Sequence, residues 1–149
     1  MADSISNKWY SGQNPVPGTA SIGYPYVDFK WNTGSGSSHA ALTSPAFAYP
    51  GRYFTLVINA AADTITTADV VYTLYGSNNA NLAIAKWDTV KTATIANAAI
   101  TELTTFVEIN TENDEGFFKF YKLKLDPSQN PGSARVVKVG INAPALNKG

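Results

Sequence analysis

The sequence predicts an all-β protein, an antiparallel β-sandwich of jelly-roll-like character with an extended N-terminal arm. Three observations carry this reading. Apolar and polar residues alternate at period two in segment after segment, the spacing of a strand with one dry and one wet face. Clusters of Gly, Pro, Asn, Asp and Ser separate those segments at short intervals, which suits antiparallel strands better than βαβ units. No long segment sustains a helical period, and no internal repeat marks a solenoid or propeller.

Residues 1–50 differ in texture from the rest. They hold Pro15, Pro17, Pro25, Pro45 and Pro50, the aromatics Trp9, Tyr10, Tyr24, Tyr26, Trp31 and Tyr49, and the loop Thr33-Gly34-Ser35-Gly36-Ser37-Ser38. Proline removes ladder donors and Gly-Ser runs stay flexible, so this part reads as an arm with one or two edge strands. Tyr24 to Trp31 is the best strand, with Val27, Phe29 and Trp31 on one side and Tyr24, Tyr26, Asp28 and Lys30 on the other. Pro25 keeps its start off a central position. Ala40 to Tyr49 reads as a second short strand, interrupted at Pro45.

The sandwich proper is expected over residues 51–149, within a single compact unit overall. After the Pro50-Gly51 turn, Arg52 to Asn59 places Phe54, Leu56 and Ile58 on one face. Asp69 to Tyr75 does the same with Val70, Tyr72 and Leu74, and Gly76-Ser77-Asn78-Asn79 reads as a turn. Leu82 to Ile95 reads as one longer strand anchored by Ile84 and Trp87, with a bulge near Asp88 where the phase changes. Ala96 to Leu103 is a loop or one helical turn, and Thr104 to Ile109 is a strand. From Gly116 to Ile141, Phe117, Tyr121, Leu123 and Leu125 alternate with Lys122 and Lys124; the turn DPSQNPGS follows, then Val137, Val139 and Ile141. This stretch reads as a β-hairpin with a long turn at the centre of the core. The tail from Asn142 is expected to fray.

Composition narrows function by exclusion. The 149 residues are 44% hydrophobic, enough for one real core and against general disorder. Only 15% are charged, against roughly a quarter in an ordinary globular protein. A surface of Asn, Thr, Ser, Ala and Gly suits a protein that works inside an assembly. Eleven basic residues balance eleven acidic ones, so no domain-wide field draws the chain to nucleic acid or anionic lipid. Without cysteine there are no disulfides, thiolate metal sites or Cys nucleophile. No stretch approaches the roughly 20 apolar residues needed to span a bilayer. The opening MADSISNKWYSGQN lacks a basic segment followed by an apolar run, so synthesis and folding in a cytosol are expected.

Catalytic and cofactor chemistry finds little support. His39 is the single histidine, beside Ser37 and Ser38, with no nucleophile-elbow motif; it reads as solvated. The run Glu112-Asn113-Asp114-Glu115 before Gly116 lacks the ligand spacing of a calcium loop and reads as a solvated tip. Asp28, Asp63, Asp69, Asp88, Glu102 and Glu108 are scattered, and nothing picks out a glycosidase-like pair. Gly34 and Gly36 lack the Lys-Ser/Thr of a phosphate loop. No cofactor, metal or enzymatic activity is expected. The candidate partner-binding residues are the arm aromatics Trp9, Tyr10, Tyr24, Tyr26 and Trp31, because exposed aromatics anchor protein partners and stack on sugars. The alternative is that they cap the open end of the sandwich or pack between the arm and its own sheet. Lys8 and Lys30 are the only cations before Arg52, which disfavours stacking on nucleic-acid bases.

The stretch Val70-Val71-Tyr72-Thr73-Leu74-Tyr75-Gly76-Ser77-Asn78-Asn79, with Trp87 shortly after, resembles the strand, Gly-Ser-Asn-Asp-Gly, Trp pattern of small β-sandwich proteins in tailed-bacteriophage virions. It is also similar to discoidin-like sugar-binding sandwiches. Pro50 to Leu56 and Phe120 to Leu125, with the later Pro-Gly-Ser turn and Val136 to Ile141, extend the likeness. Asn79-Ala80 stands where the pattern has Asp-Gly. The resemblance implies a non-enzymatic virion structural protein such as a capsid decoration (cement) protein or a minor head or tail protein. Its partners would be the major capsid protein or other virion proteins, in a homo-oligomer with a trimer as first expectation. A carbohydrate-binding module of a host-adhesion device is the alternative.

Overall fold

A computed structural model describes residues 4–5, 8–10, 25–31, 41–59, 69–96, 105–111, 117–128 and 135–142. They form ten strands: β1 (Ser4–Ile5), β2 (Tyr26–Trp31), β3 (Leu42–Thr43), β4 (Phe47–Ala48), β5 (Tyr53–Asn59), β6 (Val70–Ser77), β7 (Asp88–Ile95), β8 (Thr105–Asn110), β9 (Phe120–Pro127) and β10 (Arg135–Asn142). One 3-10 turn, Ile84–Lys86, precedes β7. Two antiparallel sheets pack face to face, one in the order β1-β2-β10-β5-β8, the other β3-β9-β6-β7 with β4 also on β9. Their apolar faces share one core, in which Trp31, Phe29, Leu56, Ile141 and Val139 of the first sheet meet Tyr121, Leu123, Leu125 and Leu74 of the second.

The pairings are nested. β6 pairs with β7, β5 with β8, β3 and β4 with β9, and β2 with β10. This is one long antiparallel ribbon rolled on itself, the jelly-roll arrangement. Only β1 lies outside the nest, at the edge beyond β2.

The nest overturns the expected hairpin between Gly116 and Ile141. β9 and β10 both exist, but they lie in different sheets and do not pair. Each has both edges occupied, β9 by β6 on one side and β3 and β4 on the other, β10 by β2 and β5. Alternation reports which face of a strand is dry and is silent on which strand lies beside it. Phe117 also leaves the dry set: β9 begins at Phe120, and the Phe117 side chain is 57% exposed.

Residues 25–31 and 41–50 contribute strands to both sheets. β2 buries Val27, Phe29 and Trp31 against the opposite sheet, as its alternation predicts. The Ala40 to Tyr49 segment splits into β3 and β4 around Pro45. Ser44 repairs the gap in the ladder: its N–H donates to the Leu123 carbonyl (2.7 Å), and its hydroxyl accepts from the Leu123 N–H (3.0 Å). Buried Ser44 is thereby satisfied, as a polar group in a dry setting must be.

The turn after β6 starts later than the sequence suggests, because Gly76 and Ser77 stay paired with Tyr121 and Phe120. The turn is then held locally. The Ser77 hydroxyl donates to the Asn79 carbonyl and accepts from the Asn79 N–H, both at 3.0 Å, and the Trp87 indole N–H donates to the Leu82 carbonyl. Trp87 is buried as expected, but Ile84 is 39% exposed in the 3-10 turn, so the expected single strand from Leu82 is shorter and starts at Asp88. The bulge sits two residues beyond its expected place. Leu74 pairs with Lys91 and Tyr75 with Thr89, leaving Val90 as the extra residue. The re-aimed Lys91 ammonium donates to the Glu108 carbonyl of the other sheet (3.2 Å), tying β7 to β8 along one open side of the sandwich.

Candidate interaction surface

The five candidate arm aromatics divide. Trp31 is fully buried in the core, so it is scaffold and not a surface anchor. Its place in the period-two row with Val27 and Phe29 is the reason. Trp9 is half-buried; its ring meets Phe47 edge-on at 5.0 Å, and its indole N–H donates to the Pro45 carbonyl at 2.8 Å. With Ile5 it packs on the core and bridges the β2 edge of one sheet to β4 of the other. This closes the open side opposite Lys91. Tyr24 lies outside the described residues, as do His39, Asp63, Glu102 and the acidic run 112–115.

Tyr10 and Tyr26 come together at the surface. Their backbones exchange two hydrogen bonds (2.8 and 3.0 Å), and their rings lie 5.4 Å apart. Lys138, which sequence reasoning did not single out, completes the group with Asp28 and Lys8. The Lys138 ammonium sits 3.9 Å from the centre of the Tyr26 ring and 2.9 Å from an Asp28 carboxylate oxygen, and Lys8 lies over Tyr10. Register explains the meeting, since Lys138 pairs with Asp28 and Gly140 with Tyr26 across β2 and β10. A cation already covers one face of each tyrosine, so this cluster is a partnered surface feature.

A second surface emerges from the exposed side chains. Among the described residues the exposed large hydrophobics are Tyr49, Tyr53, Leu82, Ile84 and Phe117. The register puts all five at one end of the sandwich. Ala48 and Ser77 both pair with Phe120, Gly76 pairs with Asp88, and Tyr53 pairs with Asn110. So β4, β6 and β8 finish, and β5, β7 and β9 start, at the same end. Tyr49 and Phe117 touch edge-on at 5.8 Å, and the Arg52 guanidinium lies 5.1 Å over the Tyr53 ring.

The end is built on rigid parts. Gly51 takes a φ of 120°, which lets the chain turn from β4 into β5 and leaves Tyr49 and Tyr53 on either side. The Arg52 carbonyl accepts from both the N–H and the hydroxyl of fully buried Thr111, locking β8 to the start of β5. Tyr121 supports the floor from beneath Tyr49 and Phe118, and its hydroxyl accepts the Phe118 N–H at 3.1 Å. Burial raises the Tyr121 phenol above its ordinary range; the Phe118 hydrogen bond opposes this, and nearby Tyr49 adds to it. A signal for this surface was present in the sequence. Tyr53-Phe54 and Phe117-Phe118 are adjacent aromatic pairs, and neighbours in an extended chain cannot both face one core.

Among the described residues no group of three or more His, Cys, Asp or Glu side chains is placed to hold a metal ion. The chain is a jelly-roll β-sandwich that gathers its exposed large apolar side chains at one end. No protein-family model matches the chain, and no curated protein is significantly similar to it.

Proposed function

We propose that this protein is a non-enzymatic structural component of a virion, a capsid decoration protein that docks on the major capsid protein lattice. The observation that carries the reading is the gathering of Tyr49, Tyr53, Leu82, Ile84 and Phe117 at one end of the sandwich. Monomers that work alone in water seldom collect their exposed apolar side chains in one place, because such patches promote association. Aromatic anchors ringed by polar groups are the usual make-up of protein interfaces. The jelly-roll topology recurs in viral capsid proteins, which supports the reading by analogy of fold. The low charge content of the chain is compatible with close packing in a shell.

Tyr10 and Tyr26 give less support to a sugar-binding role. Stacking on a pyranose needs an open ring face, and the Lys138 ammonium occupies one face of Tyr26. The test is a binding assay on capsids assembled without the protein. Wild type should saturate the capsids, and Tyr53→Ser/Phe117→Ser should lose at least tenfold in occupancy while melting at nearly the same temperature. Wild type that fails to bind capsids but gives specific hits on a glycan array would replace this reading with the carbohydrate one.

A further inference from the structure

Residues 4–5 and 8–10 are the described part that stands outside the rolled ribbon. β1 lies on the outer edge of β2 through two residue pairs, Ser4 with Lys30 and Ile5 with Phe29. The Tyr10–Tyr26 bridge and the Trp9 contacts with Pro45 and Phe47 complete its hold. All these contacts are made to strands that follow in the chain. The nest β2 to β10 is fully paired without the segment. What would be bare is the outer edge of β2 and the apolar seat beside Phe47. A sheet edge with an apolar slot next to it accepts an added strand from any chain that can reach it.

Reach decides which chain that is. Residues 11–24 connect Tyr10 to Pro25. A chain of that length extends to about 45 Å at ~3.3 Å per residue. A domain of this size is about 40 Å across, from the usual scaling of radius with length. The connection is therefore long enough for residues 4–10 of one copy to reach the β2 edge of a neighbouring copy.

We infer that residues 4–10 seat in trans as well as in cis, filling the β2–β4 slot of a second copy and linking copies by reciprocal strand exchange. The exchanged form makes the same contacts as the closed monomer, so the balance between them follows concentration. Within one chain the segment sees its slot at an effective concentration on the order of millimolar. Exchange therefore prevails where copies are held side by side at comparable local density, and dilute protein stays closed. This inference does not depend on the apolar end or on the virion reading.

The absence of cysteine in the chain gives a clean test. Ser4 and Lys30 are exposed and directly opposed, and antiparallel partners lie at a Cα spacing of roughly 4.5–5.5 Å, within disulfide range. The variants Ser4→Cys and Lys30→Cys are made singly, mixed over a range of concentrations and oxidised. The expected result is a Ser4→Cys to Lys30→Cys linked dimer that rises with concentration and exceeds each like-with-like dimer at least tenfold. The double variant should close within the chain when dilute and link between chains when concentrated. Removing residues 1–10 should lower self-association in sedimentation at least tenfold. A double variant that closes only within the chain at every concentration, with the mixed singles unlinked, overturns the inference. So does self-association undiminished by the truncation.

Discussion

Gly76 leaves no room for a side chain beside Phe118, and the pair yields a prediction with a reversal of sign. A methyl group at position 76 would lie against the Phe118 ring, meeting Cδ2 and coming within 2.6 Å of Cγ and 2.9 Å of Cε2. Real side-chain carbons do not approach so closely, so the ring or the strand must move. Phe118 is poorly placed to yield, since it packs edge-on against Tyr121 and its N–H is bound to the Tyr121 hydroxyl. Overpacking of this kind costs about 1–3 kcal/mol. Alanine in a strand is otherwise better than glycine by about 0.5–1 kcal/mol. Gly76→Ala should therefore destabilise the protein by a net of about 0.5–2 kcal/mol, a loss of a few degrees in Tm for a chain of this length. In a Phe118→Ala background the clash is gone and the propensity gain remains. There the same substitution should stabilise by about 0.5–1 kcal/mol. Urea unfolding of the wild type, both single variants and the double variant measures the coupling. A Gly76→Ala cost that is unchanged by the removal of Phe118 would refute the close approach of ring and strand.

Other expectations follow from the same packing. Leu123→Ala, in the fully buried row of β9, should cost about 2–5 kcal/mol in chemical denaturation, whereas Ile84→Ala should change stability by about 0.5 kcal/mol or less. Similar losses at the two sites would contradict the placement of Ile84 on the surface. The raised Tyr121 phenol favours the folded state fully below pH 10, the ordinary tyrosine value. Above that the unfolded chain releases the proton first, so this contribution falls as pH rises from about 10 through the folded-state value. The stability difference between wild type and Tyr121→Phe, followed from pH 8 to 11.5, should shift against wild type over that window; a flat difference would count against burial as the cause. Asp28→Asn and Lys138→Met should couple by about 0.5–1 kcal/mol, since the pair is well aligned but partly open to water. That coupling should shrink in molar salt, and a salt-independent value would point to packing of the lysine stem instead.

Legibility in the sequence followed the range of each interaction. The faces of β2, β5, β6 and β9 were readable because the core side of one strand is written in its own alternation. Val27, Phe29 and Trp31, then Phe54, Leu56 and Ile58, all point inward as their spacing predicts. Trp31 shows the limit of reading by residue type: its tryptophan chemistry suggested an anchor, but its phase placed it in the core. Partner strands were not readable. Lys122 and Lys138 look alike in sequence, each a lysine between apolar residues, yet one faces out from β9 over Trp87 and the other from β10 over Tyr26, on opposite sheets.

The apolar end was only partly legible for a related reason. Tyr49 and Tyr53 flank one turn, Leu82 and Ile84 lie in a second connection and Phe117 precedes β9, so the adjacent aromatic pairs mark single exposed rings and not their gathering. They become a surface only when rolling of the ribbon brings the ends of β4, β6 and β8 level with the starts of β5, β7 and β9. Each contact that sets this level is long-range: Ser44 with Leu123, Thr111 with Arg52, Lys119 with Asn78. A fold of nested pairings therefore separates two kinds of information. The core is written locally, strand by strand, and tolerates reading in pieces. The apolar end is written in the register between strands far apart in the chain, so a substitution that shifts register, as at Val90 in the β7 bulge, should disturb that end while leaving the alternation of every strand intact.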